Sequence, residues 1–217
     1  MESAGIPRRD PTAGERERAA EAAQPVHAGW TPADPGPLGL GAFALTTFVL
    51  SMFNADLVSK AGEPVVLSVA LAYGGIAQLL AGMWEFRTGN TFGAVAFSSF
   101  GAFWLSYWAL VTFIAAGIPE ANLGDAVGLY LIAWGIFTAY MFVASLRTTA
   151  AVALVFALLT VTFFLLGIGN SGAHTDIVKA GGWFGLATAA AAWYASFAGV
   201  TNSTFGRTVL PVKPLNE

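Results

Sequence analysis

Inside a largely apolar chain, a few spaced side chains could handle a small solute. Phe43, Thr47, Leu50 and Asn54 are four, three and four residues apart, and Leu159, Phe163, Leu166 and Asn170 repeat that spacing. On a helix such positions fall within about 60° of one another, so each set makes one stripe. A small solute with a polar and an apolar end needs hydrogen-bonding groups for the one and apolar surface for the other, and the first stripe offers both, with Thr46 beside it. Such a stripe either lines a path or faces lipid or a neighbouring helix. Gln78, Gly82 and Glu85 share a further face. Gln and Glu are costly in hydrocarbon unless they meet water or a partner, which favours an inward orientation. Gln78 is then an interhelical hydrogen-bonding group or a donor to the solute. Glu85 is either a proton-coupling group or an interfacial carboxylate beside Arg87. Asn90 and Thr91 stand where another apolar run starts, and both helix capping and solute contact are open to them.

Much other chemistry is excluded. The chain has 217 residues, no cysteine and two histidines, His27 and His174, so thiolate and histidine metal sites are not expected, and no cofactor is. Ten basic and 13 acidic residues give a net charge of -3, which disfavours a nucleic-acid partner. An intramembrane enzyme would place a histidine, paired acids or a serine with its base at matching depth, and both histidines fall outside the apolar runs. A sensor or assembly protein without flux is the remaining alternative to a transporter.

The elements that must position these residues are membrane spans. A content of 56% hydrophobic and 11% charged residues, with a mean hydropathy of +0.64, lies outside the range of soluble domains. Six runs of about the length that a bilayer demands fall near 37-58, 64-86, 91-116, 122-146, 149-169 and 177-200. No period-two alternation supports a barrel. The expected fold is an all-α membrane protein, six transmembrane helices in one bundle around a pore. Residues 1-33, rich in Ala, Glu, Arg and Pro, read as a disordered tail. Residues 34-202 form the transmembrane domain, and 203-217 a C-terminal tail. Eight basic residues lie on the side of the two tails (Arg8, Arg9, Arg16, Arg18, Arg87, Arg147, Arg207 and Lys213), against Lys60 and Lys179 on the other. That bias puts both termini in the cytoplasm.

The run Asp34-Pro35-Gly36-Pro37-Leu38-Gly39-Leu40-Gly41-Ala42-Phe43 opens the first span. It resembles the signature of the acetate uptake transporter family, also called succinate-acetate permeases. Further blocks of likeness come in order: Tyr73 to Gln78, Gly89 to Gly93, Tyr130 to Thr138, Gly167 to Asn170 and Phe205 to Pro211. The likeness covers about Asp34 to Pro211.

The resemblance implies transport of acetate and related small carboxylates, succinate among them, across the plasma membrane, as an anion channel or a proton symporter. It also implies a hexamer with one pore per subunit, and a narrow gate of Phe, Tyr and Leu from the first, third and fifth spans. Those positions map to Phe43, Phe100 and Leu159, so the middle one lacks its hydroxyl here. Asp34 replaces the family's usual Asn and adds a carboxylate at the cytoplasmic mouth. The aromatics of the third span, Phe97, Phe100, Phe103, Trp104, Tyr107 and Trp108, exceed what one pore could use, and most are expected to face lipid or a neighbouring subunit. The Gly181-Gly182-Trp183-Phe184-Gly185 run has small-residue spacing suited to helix packing within the chain.

Overall fold

The computed structural model describes Thr12, Gly14, Trp30 and residues 32–215. The expected N-terminal tail therefore lies almost wholly outside the described residues, with its arginines and His27. The compact unit from Ala33 to Glu217 contains six long helical segments. These are α1 (Gly36–Asn54), α2 (Lys60–Thr88), α3 (Thr91–Gly117), α4 (Glu120–Ser145), α5 (Ala150–Ser171) and α6 (Thr175–Phe205).

The first five are long and apolar enough to cross a membrane. The sixth has 31 residues, about 46 Å of helix. Its many Ala, Gly, Ser and Thr residues make it less apolar, and packing accounts for them. A Cβ on Gly182 would collide with the backbone of Asn54 and Ala55, and one on Gly185 with Ser51 Oγ, both at the far end of α1. One on Gly181 would meet Leu166 of α5 at 2.8 Å. Small residues let α6 lie directly on its two neighbours, as helices in lipid do where backbones must approach. The small-residue run thus serves packing within the chain.

The helices form a ring in chain order. α1 packs along α2 and α6, α6 along α5, α5 along α4, and α2 along α3. The join of α3 to α4 is the sparsest, and aromatic groups bridge it. Phe103 stacks on Tyr130 at 5.8 Å and meets Trp134 edge-on at 5.3 Å, while the Tyr130 hydroxyl donates to the Phe103 carbonyl at 3.1 Å. Each such aromatic pair adds about 0.5–1.5 kcal/mol beyond the area it buries.

Two helix ends depart from the sequence expectation. α1 stops at Asn54 rather than near residue 58, because Asp56 turns the chain at φ 60° and its carboxylate binds Lys179 Nζ at 2.8 Å. α6 runs on to Phe205, where Gly206 at φ 63° ends it in the left-handed conformation that glycine adopts without steric cost. The segment beyond Gly206 is not a free tail. Asn202 Oδ1 accepts from the Val209 and Leu210 N–H groups at 2.7 and 2.9 Å, and Tyr194 donates to the Pro211 carbonyl at 2.7 Å. The Lys213 carbonyl then accepts from the Ala150 N–H at 2.8 Å, so this segment caps the start of α5.

α2 carries an irregularity next to candidate residues: Ala70–Ala77 is a π-helical stretch that ends immediately before Gln78. Its Gly74 faces Thr46 of α1 and its Gly75 faces Leu105 of α3, each closer than any Cβ would permit. Wide turns of this kind mark functional positions in many helices.

Candidate functional site

The bundle encloses a cavity at each end and a constriction between them. The cavity at the Asn170 end has a volume of about 310 Å³. Both stripes line it in full: Phe43, Thr47, Leu50 and Asn54 from α1, and Leu159, Phe163, Leu166 and Asn170 from α5. Phe103, Trp104 and Tyr107 of α3 complete the wall. Here the expectation for the third span is corrected. Phe100, Phe103 and Trp104 are buried, and the aromatic residues pack inward because α3 and α4 touch little through their backbones and rings fill the gap. Thr47 Oγ1 and Trp104 Nε1 are buried without a hydrogen-bond partner among the described residues. Asn170 spends its Nδ2 donor on the Leu166 carbonyl at 2.8 Å.

The cavity at the other end has a volume of about 290 Å³ and a polar rim of Asp34, Glu85, Asn90, Thr148, Thr149 and Asn202. Its floor is apolar, with Leu40, Phe97 and Phe156. The Asp34 carboxylate accepts from the Gly36 N–H at 2.8 Å, so a helix start that could have attracted an anion is occupied by the chain's own acid. Glu85 Oε1 is close by: a Cβ on Gly36 would stand 3.0 Å from Asp34 Oδ1 and 3.5 Å from Glu85 Oε1. Thr88 donates to Glu85 Oε2 at 3.1 Å. The Glu85 carboxyl and the Asn90 carboxamide both lie 2.6 Å from where a Cβ on Gly93 would be, so glycine is required there. Asn90 caps α3, its Oδ1 accepting from the Gly93 N–H at 3.1 Å, and also lines the cavity.

Between the cavities, Phe43, Phe100 and Leu159 come together with Gln78 and Phe156 around a void of about 20 Å³. The Phe43 and Phe100 rings are 5.7 Å apart. Phe100 is also enclosed by Phe137 at 5.4 Å, Phe156 at 6.0 Å and Phe163 at 6.3 Å, the last nearly parallel at 9°. A tyrosine hydroxyl is absent from this cage.

Two candidates lie elsewhere. Thr46 is fully buried, but its hydroxyl donates to the Ala42 carbonyl at 2.9 Å and its side chain stands against Gly74 of α2, so it borders none of the three cavities. Thr91 is exposed at the first turn of α3 and borders none of them. Sequence reasoning missed Phe156, which faces both the constriction and the polar-rimmed cavity, and Trp104. Phe156 lies three residues before Leu159 on the same helix face, a spacing that could have found it. No group of three or more His, Cys, Asp or Glu suited to a metal occurs among the described residues.

Apolar helices around two cavities and an aromatic waist define a class: the all-helical, multi-pass membrane protein. Within that class the chain belongs to the GPR1/FUN34/yaaH family, whose model matches residues 19–217. It is 43% identical over 195 residues to acetate permease A of Emericella nidulans, covering 83% of this chain and 65% of that one. The chain thus spans just under two thirds of that relative's length. It is 42% identical over 180 residues to the succinate-acetate/proton symporter SatP of Escherichia coli, covering 83% of this chain and 95% of SatP. A solved structure described as the bacterial acetate channel SatP matches with a TM-score of 0.78 and 41% identity, over 84% of this chain and 99% of that one.

Proposed function

We propose that this protein moves acetate and related small carboxylates, succinate included, across the plasma membrane along a path that joins the two cavities through the waist. The observation that carries the reading is the stacking of the three voids along one bundle, with Phe43, Leu159 and Phe156 each bordering two of them. The names of its relatives agree with it, and make a transporter a better reading than an enzyme. Among the described residues no Lys or Arg lines the three voids, which also supports flux. Neutral dipoles hold a carboxylate weakly enough to release it, whereas a buried cation would retain it.

In this reading both termini are cytoplasmic, the polar-rimmed cavity is the inner one and the Asn170 cavity the outer one. Lys60 and Lys179 then share the outer end, where they pair with Glu63 at 3.3 Å and Asp56 at 2.8 Å. The assembly is a hexamer, in line with the family resemblance. Exposed apolar positions on α4 such as Leu129, Ile136 and Val143, seven residues apart, suit lipid or a neighbouring subunit.

Uptake of labelled acetate into vesicles containing the purified protein tests the function. Uptake should exceed that of protein-free vesicles and saturate. Equal rates in the two preparations would refute the proposal.

A further inference from the structure

We infer that the waist has a second substrate class, small neutral primary amides such as acetamide and formamide, which pass it by pairing with the side-chain amide of Gln78. This rests on the transport reading above, because acetamide has the shape and size of acetate and any opening of the waist that admits one admits the other. The central void has room for about one water, so a solute entering it sheds its hydration shell. Its walls are the rings of Phe43, Phe97, Phe100 and Phe156 with aliphatic residues and Gln78, and among the described residues no charged side chain lines it. Dehydrating an ion costs far more than dehydrating a neutral amide, so such walls suit an uncharged solute.

Gln78 is 1% exposed, and its Oε1 has no hydrogen-bond partner among the described residues. A buried acceptor left in that state is costly, and a passing solute relieves it only by bringing a donor. Acetate brings none. A primary amide brings N–H groups for Oε1 and a carbonyl that accepts from the Gln78 nitrogen. Each partner has one donor edge and one acceptor edge, so the pairing holds whichever way the Gln78 amide is turned.

The two cavities carry the same bias toward donors. Among the described residues every charged side chain that lines them is a carboxylate: Glu63 at the Asn170 end, and Asp34 and Glu85 at the polar-rimmed end. Asn170 spends its own donor on the Leu166 carbonyl, which leaves its oxygen free to accept. These acceptors oppose an anion at close range but suit the N–H groups of an amide. The amide carbonyl finds donors in Thr47 Oγ1 and Trp104 Nε1, both buried without a partner among the described residues. An alkylammonium would suit the carboxylates but would reach the dry waist as an ion. A neutral solute with both a donor and an acceptor edge is accommodated at every stage.

The test follows labelled acetamide and labelled acetate in parallel, in vesicles containing the full chain, after subtraction of protein-free vesicles. Acetamide should equilibrate several-fold faster than in the protein-free preparation, at a rate indifferent to a clamped membrane potential, and excess acetamide should slow acetate uptake. Gln78→Leu should lower the ratio of acetamide flux to acetate flux about tenfold, the worth of roughly one hydrogen bond, whereas a merely structural defect would lower both alike. Acetamide entry at the protein-free rate with acetate flux intact would overturn the inference and leave the transport reading standing. An unchanged ratio in a folded Gln78→Leu variant would do the same. No protein-dependent flux of either solute would overturn the transport reading and this one with it. Should Gln78→Leu not fold, acetamide entry and its competition with acetate in the unaltered chain decide.

Discussion

The Phe43 ring lies 5.7 Å from the Phe100 ring, tilted by 53°, and this pair from the first and third spans, with Leu159 from the fifth, closes the space between two cavities. Closure chiefly by apolar side chains makes the waist sensitive to volume. Leu159→Ala should widen it and admit larger acids such as lactate, with uptake of the larger acid rising several-fold relative to acetate. A leucine-to-alanine change in a packed core also costs about 2–5 kcal/mol, so rates must be compared at equal folded protein. An unchanged size profile in the Phe43→Ala, Phe100→Ala and Leu159→Ala variants would remove the waist from the path.

The carboxylates of the polar-rimmed cavity are expected to be dispensable for proton coupling. Glu85 holds Thr88 beside the α2–α3 turn, and Asp34 accepts from the first N–H of α1, which are structural tasks. Glu85→Gln should therefore retain acetate accumulation driven by an imposed pH gradient, with flux per folded molecule within about twofold of the unaltered chain, since a carboxamide oxygen can still accept from Thr88. Loss of gradient-driven accumulation with exchange between equal pools intact would make Glu85 a proton carrier.

The stripes on α1 and α5 were legible in the sequence because their spacing joins polar ends to apolar stretches, and both line the cavity at the Asn170 end. Other features carried no such contrast. Trp104 and Phe103 sit in a helix that is apolar on all sides, so composition cannot tell a ring facing the bundle from one facing lipid. Thr46 and Thr47 are adjacent and so about 100° apart on the helix, which lets one border the cavity while the other packs on Gly74. The six long helical segments, five of them apolar enough to cross a membrane, were legible from length and hydropathy, whereas the end of α1 depended on the Asp56–Lys179 pair, a contact more than a hundred residues apart in the chain. The return of the C-terminal segment onto α5 rests on backbone hydrogen bonds, which leave no pattern of residue types.

Topology can be tested with single cysteines, because the chain has none of its own. Ser171→Cys, at the end of α5, should react with an impermeant maleimide added to intact cells, and Ser203→Cys, near the end of α6, only after permeabilisation. The reverse pattern would invert the orientation.

The Asp56–Lys179 pair predicts a pH dependence of stability. The hydrogen bond and charge of Lys179 hold the Asp56 carboxyl below the usual carboxylate range. A carboxyl lowered on folding contributes stability that is present above its unfolded pKa, about 3.9, and is lost as the pH falls through its lower folded value. The melting temperature in detergent should thus be higher for the unaltered chain than for Asp56→Asn at pH 7, and the gap should close below about pH 4. The pair is solvent-exposed, so the gap should be small and should shrink in high salt. A gap that is constant from pH 7 to pH 3 would contradict the assignment.

The claim that solute passes between Phe43, Phe100 and Leu159 is tested most directly by blocking that point. Leu159 borders the cavity at the Asn170 end as well as the waist, so in the cysteine-free chain Leu159→Cys presents a single thiol to a small impermeant methanethiosulfonate. Labelled acetate flux into vesicles should fall to the protein-free level after modification and return when a reductant removes the adduct, and excess acetate should slow the modification. Flux unaltered by complete modification of the thiol at that position would place the path elsewhere.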